Sequence, residues 1–217
     1  MAEKKREVSK MKYLAAFSLA CLLFIVGIFF GSQITQSKVN DILATEQQTR
    51  LQLENLDIEG MLLQDAPCQS PKLLTEDLET LGTKLTYLES EYSKDDPRIL
   101  ELKKPYTLLE LRHYLSLKSM VEKCNQNFTF VLFFYSNEPS KMDQSEKEGF
   151  VLDYLKKKHE NINIYAFDVN LDVPVLNVLK SKYNVVDTPT VVIDDQVYVG
   201  FHDKDEMESV LVRSFSK

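Results

Sequence analysis

Two residue types in this chain bear the side chains most often used for thiol, redox or metal chemistry, and their spacing limits that chemistry. The cysteines are Cys21, Cys68 and Cys124, and the histidines are His113, His159 and His202. Zinc sites draw thiolates and imidazoles from short repeats, and these six are scattered singly along the chain, so no metal is expected. Asp168, Asp172, Asp194 and Asp195 read as strand-end and turn residues and lack the spacing of a calcium loop. No glycine-rich phosphate loop is present, and no serine–histidine–acid set can be assembled. Ser140 as a nucleophile would need a base, and no histidine lies near it in the sequence. The reading therefore carries no catalytic residue and no cofactor.

What remains is Cys68 and Cys124, and the elements between them say why they belong together. Ser70-Pro71 supplies a helix cap and a first-turn proline. Leu74, Leu78, Leu81, Leu85, Leu88 and Tyr92 follow at four-three spacing, one apolar seam of a helix. Ser93-Lys94-Asp95-Asp96-Pro97 stops it, and Asp96-Pro97 starts a second helix through Leu102, Tyr106, Leu109, Leu117 and Met120. Pro105 is expected to bend that helix or split off its first turn. Two helices joined by a short turn lie antiparallel. Residue 96 is midway between Cys68 and Cys124, so a hairpin of equal arms (67–125) brings the two thiols to its base. Outside the cytoplasm they would form a structural disulfide. It would close a long loop, worth about 4 kcal/mol in the chain-entropy model. Two free buried thiols, or a bridge between chains, are the alternatives.

The compartment follows from the N-terminus. Residues 1–12 carry Lys4, Lys5, Arg6, Lys10 and Lys12 against Glu3 and Glu7, whereas the whole chain has a formal charge of −7. An acidic body behind a basic tail repels phosphate backbones, so nucleic acid is excluded as a partner. Tyr13 to Gly31 has no charged side chain, and at 1.5 Å per residue it measures about 28 Å, close to the hydrocarbon thickness. The basic cluster before it favours a cytoplasmic N-terminus, with everything after Ser32 extracytoplasmic. A cleaved signal peptide is the rival, but Ile28-Phe29-Phe30-Gly31-Ser32 offers no Ala-x-Ala site. Cys21 lies inside this span.

Residues 32–66 form a helical stalk. Val39, Ile42, Leu53, Leu56 and Leu63 share a weak heptad seam, interrupted by Glu46, Thr49 and Gly60. This pattern suits either a parallel homodimer or one helix lying against the rest of the chain.

From residue 126 the pattern changes. Phe128 to Tyr135 is an unbroken apolar run, a strand buried on both faces. A helix (Phe150, Leu152, Leu155), a strand (Ile162–Phe167) and a helix (Val175, Leu176, Val178, Leu179, Tyr183) follow. The chain then continues through Thr188-Pro189 into Thr190–Ile193, an Asp194-Asp195 turn, Gln196–Gly200 and a last helix. The order βαβαββα predicts an α/β domain over 126–217, with parallel pairing between strands separated by helices and an antiparallel hairpin at the edge. Asn127-Phe128-Thr129 fits the N-glycosylation triplet at its entrance.

That order, with Val185-Val186-Asp187-Thr188-Pro189-Thr190-Val191-Val192-Ile193 leading into the third strand, resembles the thioredoxin fold over about ninety residues. The resemblance implies a cis Thr188–Pro189 bond beside the site; an ordinary trans proline at a strand start is the alternative. Thioredoxins carry Cys-x-x-Cys after the first strand, where a helix N-terminus lowers a thiol's pKa. Here Ser136 to Ser145 contains no cysteine. In one register Asn137 and Ser140 stand in place of the two sulfurs; in the other, Met142 and Ser145 do. Neither can exchange disulfides. The resemblance then implies a peptide-binding surface of Asn137, Glu138, Pro139, Ser140, Thr188 and Pro189 serving a protein partner, where backbone groups can pair with an extended strand. Two other readings stay open: a thiol–disulfide oxidoreductase relative acting through Cys68 and Cys124, and a membrane-tethered helical assembly protein.

Overall fold

A computed structural model describes residues 10–62, 72–124, 128–159 and 161–215. The basic tail up to residue 9, Leu63, Cys68, the Ser70-Pro71 cap and Asn127 lie outside the described residues, and with them the expectations placed there. The chain divides into two units, Met1–Ala44 and Thr45–Lys217.

α1 spans Lys10–Leu62. Its Met11–Gly31 stretch is long and apolar enough to cross a membrane, and its large side chains are exposed. An apolar helix with no buried face is what lipid, rather than a protein core, accommodates.

In the second unit, Thr45 and Thr49 on α1 are buried and Leu53 packs against Leu81 and Leu109. α2 (Lys72–Tyr92) and α3 (Pro97–Cys124) form the expected hairpin, with Leu81, Leu85 and Leu88 buried along the seam. Ser93 makes the turn with φ 129°. α3 runs without interruption through Pro105, so of the two expected outcomes, a bend or a split-off first turn, the second does not occur. Pro105 is the ninth residue of α3, and its missing N–H removes one bond from a ladder the rest of the helix keeps.

The remaining elements are β1 (Thr129–Tyr135), α4 (Met142–Lys158), β2 (Ile162–Asp168), α5 (Pro174–Lys182), β3 (Thr190–Ile193), β4 (Gln196–Val199) and α6 (Lys204–Ser214). They give the expected mixed α/β order, with a sheet arranged β2-β1-β3-β4. β1 and β2 are parallel, Phe134 opposite Phe167. β3 corrects the expectation of parallel pairing: it runs antiparallel to β1, Leu132 opposite Val192. The connection 183–189 after the short α5 delivers the chain to the opposite end of the sheet, beside β1 rather than β2. Asp194 and Asp195 have φ of 49° and 63°, the left-handed pair a two-residue hairpin demands.

Side-chain alternation along β1 divides the core. Leu132 and Phe134 join Tyr165, Phe167, Leu176 and Leu179 on one face, together with Leu111 and Tyr114 of α3. Val131 and Phe133 join Leu152, Leu155, Met207 and Leu211 on the other. The result is three layers, α3 with α5, the sheet, and α4 with α6. The hairpin helix α3 therefore completes the sandwich, packing across the 125/126 boundary drawn from sequence. Phe150 and Val178 leave their expected seams, at 73% and 67% exposure. Each is two residues, about 200°, from a buried neighbour (Leu152, Leu176) and so lies on the far side of its helix.

Candidate functional site

The carboxyl ends of the parallel pair β1 and β2 are where an open α/β sheet offers a crevice, and the loop after β1 fills it with hydrogen bonds. The Ser136 N–H donates to Ser145 Oγ at 3.2 Å, tying the strand end to the first turn of α4. The Ser136 hydroxyl donates to Asn170 Oδ1 at 2.7 Å and accepts from the Glu138 N–H at 3.1 Å. Asn170 Nδ2 in turn donates to Glu138 Oε1 at 2.8 Å. Asn137 Nδ2 donates to Asp168 Oδ2 at 2.9 Å, and the Asn170 N–H donates to Asp168 Oδ1 at 3.1 Å.

Beneath the loop lies a buried ion cluster. Lys103 Nζ of α3 is 2.7 Å from Asp168 and 3.0 Å from Glu89, and it sits 5.3 Å from the centroid of the Tyr135 ring. Burial works against the Lys103 charge, yet Tyr135, Glu89 and Asp168 outweigh it and hold its pKa above the ordinary lysine value. Burial raises the Tyr135 pKa, against the pull of Lys103. Charges this deep persist only when paired, and here each has its partner.

The residues singled out from sequence divide into three groups. Asn137 and Glu138 are engaged inside the protein, Asn137 to Asp168 and Glu138 to Asn170. Pro139 and Ser140 are exposed. Thr188 and Pro189 are buried, their peptide bond is cis, and the Thr188 N–H donates to Asp187 Oδ1 at 2.7 Å. Lys141 and Asp187 pair at 2.6 Å, linking the 136–141 loop to the segment that carries Thr188-Pro189. The hydrogen bond from Lys141 and the Thr188 N–H lower the Asp187 pKa. α4 begins at Met142, with Ser145 buried one turn in. Cys124 ends α3 and is disulfide-bonded, whereas Cys21 is a free, exposed thiol.

Lys103, Thr107, Glu110 and His113 were missed as site residues. They are buried polar residues of α3 at 3%, 3%, 5% and 2% exposure. Their spacing of four, three and three puts them on one stripe beside the apolar seam, a signal present in the sequence but indistinguishable there from a solvated face. Glu110 Oε1 accepts the Ala166 N–H at 3.1 Å, and His113 Nδ1 lies 2.9 Å from the Tyr165 hydroxyl. Burial raises the Glu110 pKa to about 8 and lowers that of His113 to about 4. Among the described residues no group of three or more histidine, cysteine or acidic side chains is arranged to hold a metal.

No family model matches the chain, and no curated protein matches it. Among solved structures, chloroplastic thioredoxin z is similar over 46% of this chain and 90% of its own length, at 13% identity and a TM-score of 0.36. A malarial protein is similar over 41% of this chain and 98% of its own, at 16% identity and a TM-score of 0.33.

Proposed function

We propose that this is a membrane-anchored protein whose C-terminal region, 126–217, is a thioredoxin-like domain without a redox dithiol, serving to bind a protein or peptide partner on the extracytoplasmic side. The observation that carries the reading is the 136–141 loop: it holds no thiol, and its Ser136, Asn137 and Glu138 groups are bound to Ser145, Asn170 and Asp168. A loop so occupied is a fixed shape rather than a reactive centre. The exposed Pro139 and Ser140, joined through Lys141–Asp187 to the Thr188-Pro189 segment, then offer a ledge for an extended chain. The order βαβαββα and the sheet order β2-β1-β3-β4 support the thioredoxin-like assignment.

The Cys68–Cys124 bridge belongs to this reading as a staple at the hairpin base. It is supported by Cys124 being disulfide-bonded while Cys21 is free. A homodimer through the stalk would have to spare Leu53, which packs against Leu81 and Leu109 of its own chain.

The test is insulin reduction by the full chain in nanodiscs, alongside peptide capture. We expect no turnover above the dithiothreitol background. A photo-cross-linker at Ser140 should capture an extended peptide in competition with unlabelled peptide. Catalytic turnover abolished by Cys124→Ser would replace this reading with the oxidoreductase one.

A further inference from the structure

The free edge of β2 carries a second concentration of polar groups that shares no residue with the 136–141 loop. Among the described residues β2 pairs only with β1, and its outer edge faces α2, α3 and α4 across a cavity of about 490 Å³. Glu110 of α3 reaches into it with one carboxylate oxygen satisfied by the Ala166 N–H at 3.1 Å; the other, Oε2, is buried and has no hydrogen-bond partner among the described residues. The Tyr106 hydroxyl lines the same cavity, and no hydrogen bond to it is made among the described residues. Space for that hydroxyl is built in, since a Cβ at Gly82 would stand 2.6 Å from it.

Charge accounting then names the ligand. The lining contains three acids, Glu79, Glu110 and Asp153, and two bases, Lys156 and Lys157. Lys156 is paired to Glu79 at 2.7 Å and Lys157 to Asp153 at 2.6 Å. Lys103, one helical stretch away on α3, is held by Asp168 and Glu89. Among the described residues Glu110 is the one lining acid with no direct ion pair; Lys103 and Lys156, each held by another carboxylate, act on it only from a distance. A lone buried carboxyl is costly to ionise, and a desolvated cation beside it removes that cost. Once Glu110 is ionised, a neutral hydroxylic ligand would leave its charge unsupplied and an anion would be repelled.

We propose that this cavity binds a primary ammonium group, its charge on Glu110 Oε2 and one of its hydrogens on the Tyr106 hydroxyl. The three donors of an ammonium match these two acceptors, with one left for solvent or a neighbouring carbonyl. The groups facing Glu110 are Glu79 from α2, Lys103, Tyr106 and His113 from α3, Asp153 and Lys156 from α4, and Tyr165 from β2. Burial keeps His113 neutral at pH 7, so it adds no competing charge. Burial also holds the empty Glu110 protonated up to about pH 8. The ammonium must therefore displace that proton, and affinity rises with pH until Glu110 ionises unaided.

The Ala166 amide is a built-in reporter, because Tyr165-Ala166 is the chain's sole Tyr-Ala dipeptide. Carbonyl-13C tyrosine with 15N-alanine labelling isolates one resonance from the full chain in nanodiscs. Titration with butylammonium should move it saturably, with affinity rising about tenfold from pH 6 to pH 7 and levelling above pH 8. Butanol and butyrate should not move it. Tyr106→Phe should weaken binding several-fold, and Glu110→Gln should abolish both the response and its pH dependence. The blocked peptide acetyl-Gly-Lys-Gly-amide separates sources: tighter binding than butylammonium assigns the site to protein lysines, weaker binding to small free amines. Equal responses to butylammonium and butanol, or no saturable response in the wild type, would overturn the proposal. If Glu110→Gln does not fold, the Tyr106→Phe and butanol comparisons decide.

Discussion

Lys103 and Asp168 are 65 residues apart in sequence and 2.7 Å apart in space, both almost wholly buried. The pair joins α3 to the end of β2 directly beneath the 136–141 loop, so the loop's shape depends on a helix outside the C-terminal segment. Lys103→Met leaves the buried Asp168 and the half-buried Glu89 without their cation. We expect a loss of about 3–5 kcal/mol, read by chemical denaturation of the full chain in nanodiscs. A loss below about 1 kcal/mol would mean that water reaches the cluster.

The same pair sets alkaline behaviour. The Lys103 pKa is raised above its unfolded value of 10.5, so its stabilisation is fully present below that pH and is lost as pH rises beyond it. Tyr135 is raised also and acts in the same direction above its ordinary value of 10.0. Denaturation midpoints should therefore fall above about pH 10, and Lys103→Met should flatten that fall.

Near neutrality two α3 groups oppose each other. Glu110 is raised from 4.5 to about 8, so the folded state holds its proton and stability declines as pH climbs between those values. His113 is lowered from 6.5 to about 4, so stability increases with pH across its window. The two largely cancel from pH 4.5 to 6.5, and Glu110 acts without His113 from there to about 8. Glu148, raised by burial, adds to the Glu110 trend. Unfolding midpoints taken at pH 5, 6.5 and 8 should be level and then drop. In Glu110→Gln the last interval should show a much smaller drop.

Gly82 and Tyr106 form a steric pair across the hairpin. Alanine is the better helix former by about 1 kcal/mol, but its Cβ would stand 2.6 Å from the Tyr106 hydroxyl. Gly82→Ala should stabilise a Tyr106→Phe background and give less, or a loss, in the wild type. Additivity of the two substitutions in a double-mutant cycle would refute the contact.

α6 is capped by Asp203, whose side chain accepts from the Asp205 and Glu206 N–H groups at 2.9 Å each. Asp203→Ala should cost about 1 kcal/mol and Asp203→Asn much less. Melting temperature measured for both variants checks it.

Much of this architecture is legible in the sequence because it rests on short-range patterns. The apolar run to Tyr135, the Leu81–Leu85–Leu88 seam and the Asp194-Asp195 turn each declare their element locally. What escapes is set by distant partners. Lys103, Thr107, Glu110 and His113 look like a water-facing stripe until β2 is laid against them. The direction of β3 depends on which end of the sheet the 183–189 connection reaches, which no periodicity records. Phe150 and Val178 are apolar in type, but their angle around the helix turns them to solvent. Around the loop, the type of each residue pointed to the place, but not to the mutual engagement of Asn137, Glu138, Asp168 and Asn170.

That α3 covers Leu132, Phe134, Tyr165 and Phe167 has a consequence for how the chain is made. During synthesis this helix leaves the ribosome ahead of the strands it will shield, so a cover exists before there is anything to protect. A piece starting at Phe128 would be born with only α5 on that side of its sheet and the part under Leu111 and Tyr114 bare, and we expect it to clump rather than fold. The smallest autonomous portion must reach back at least to Pro97, and any recombination that transplants the sheet has to take this earlier helix along.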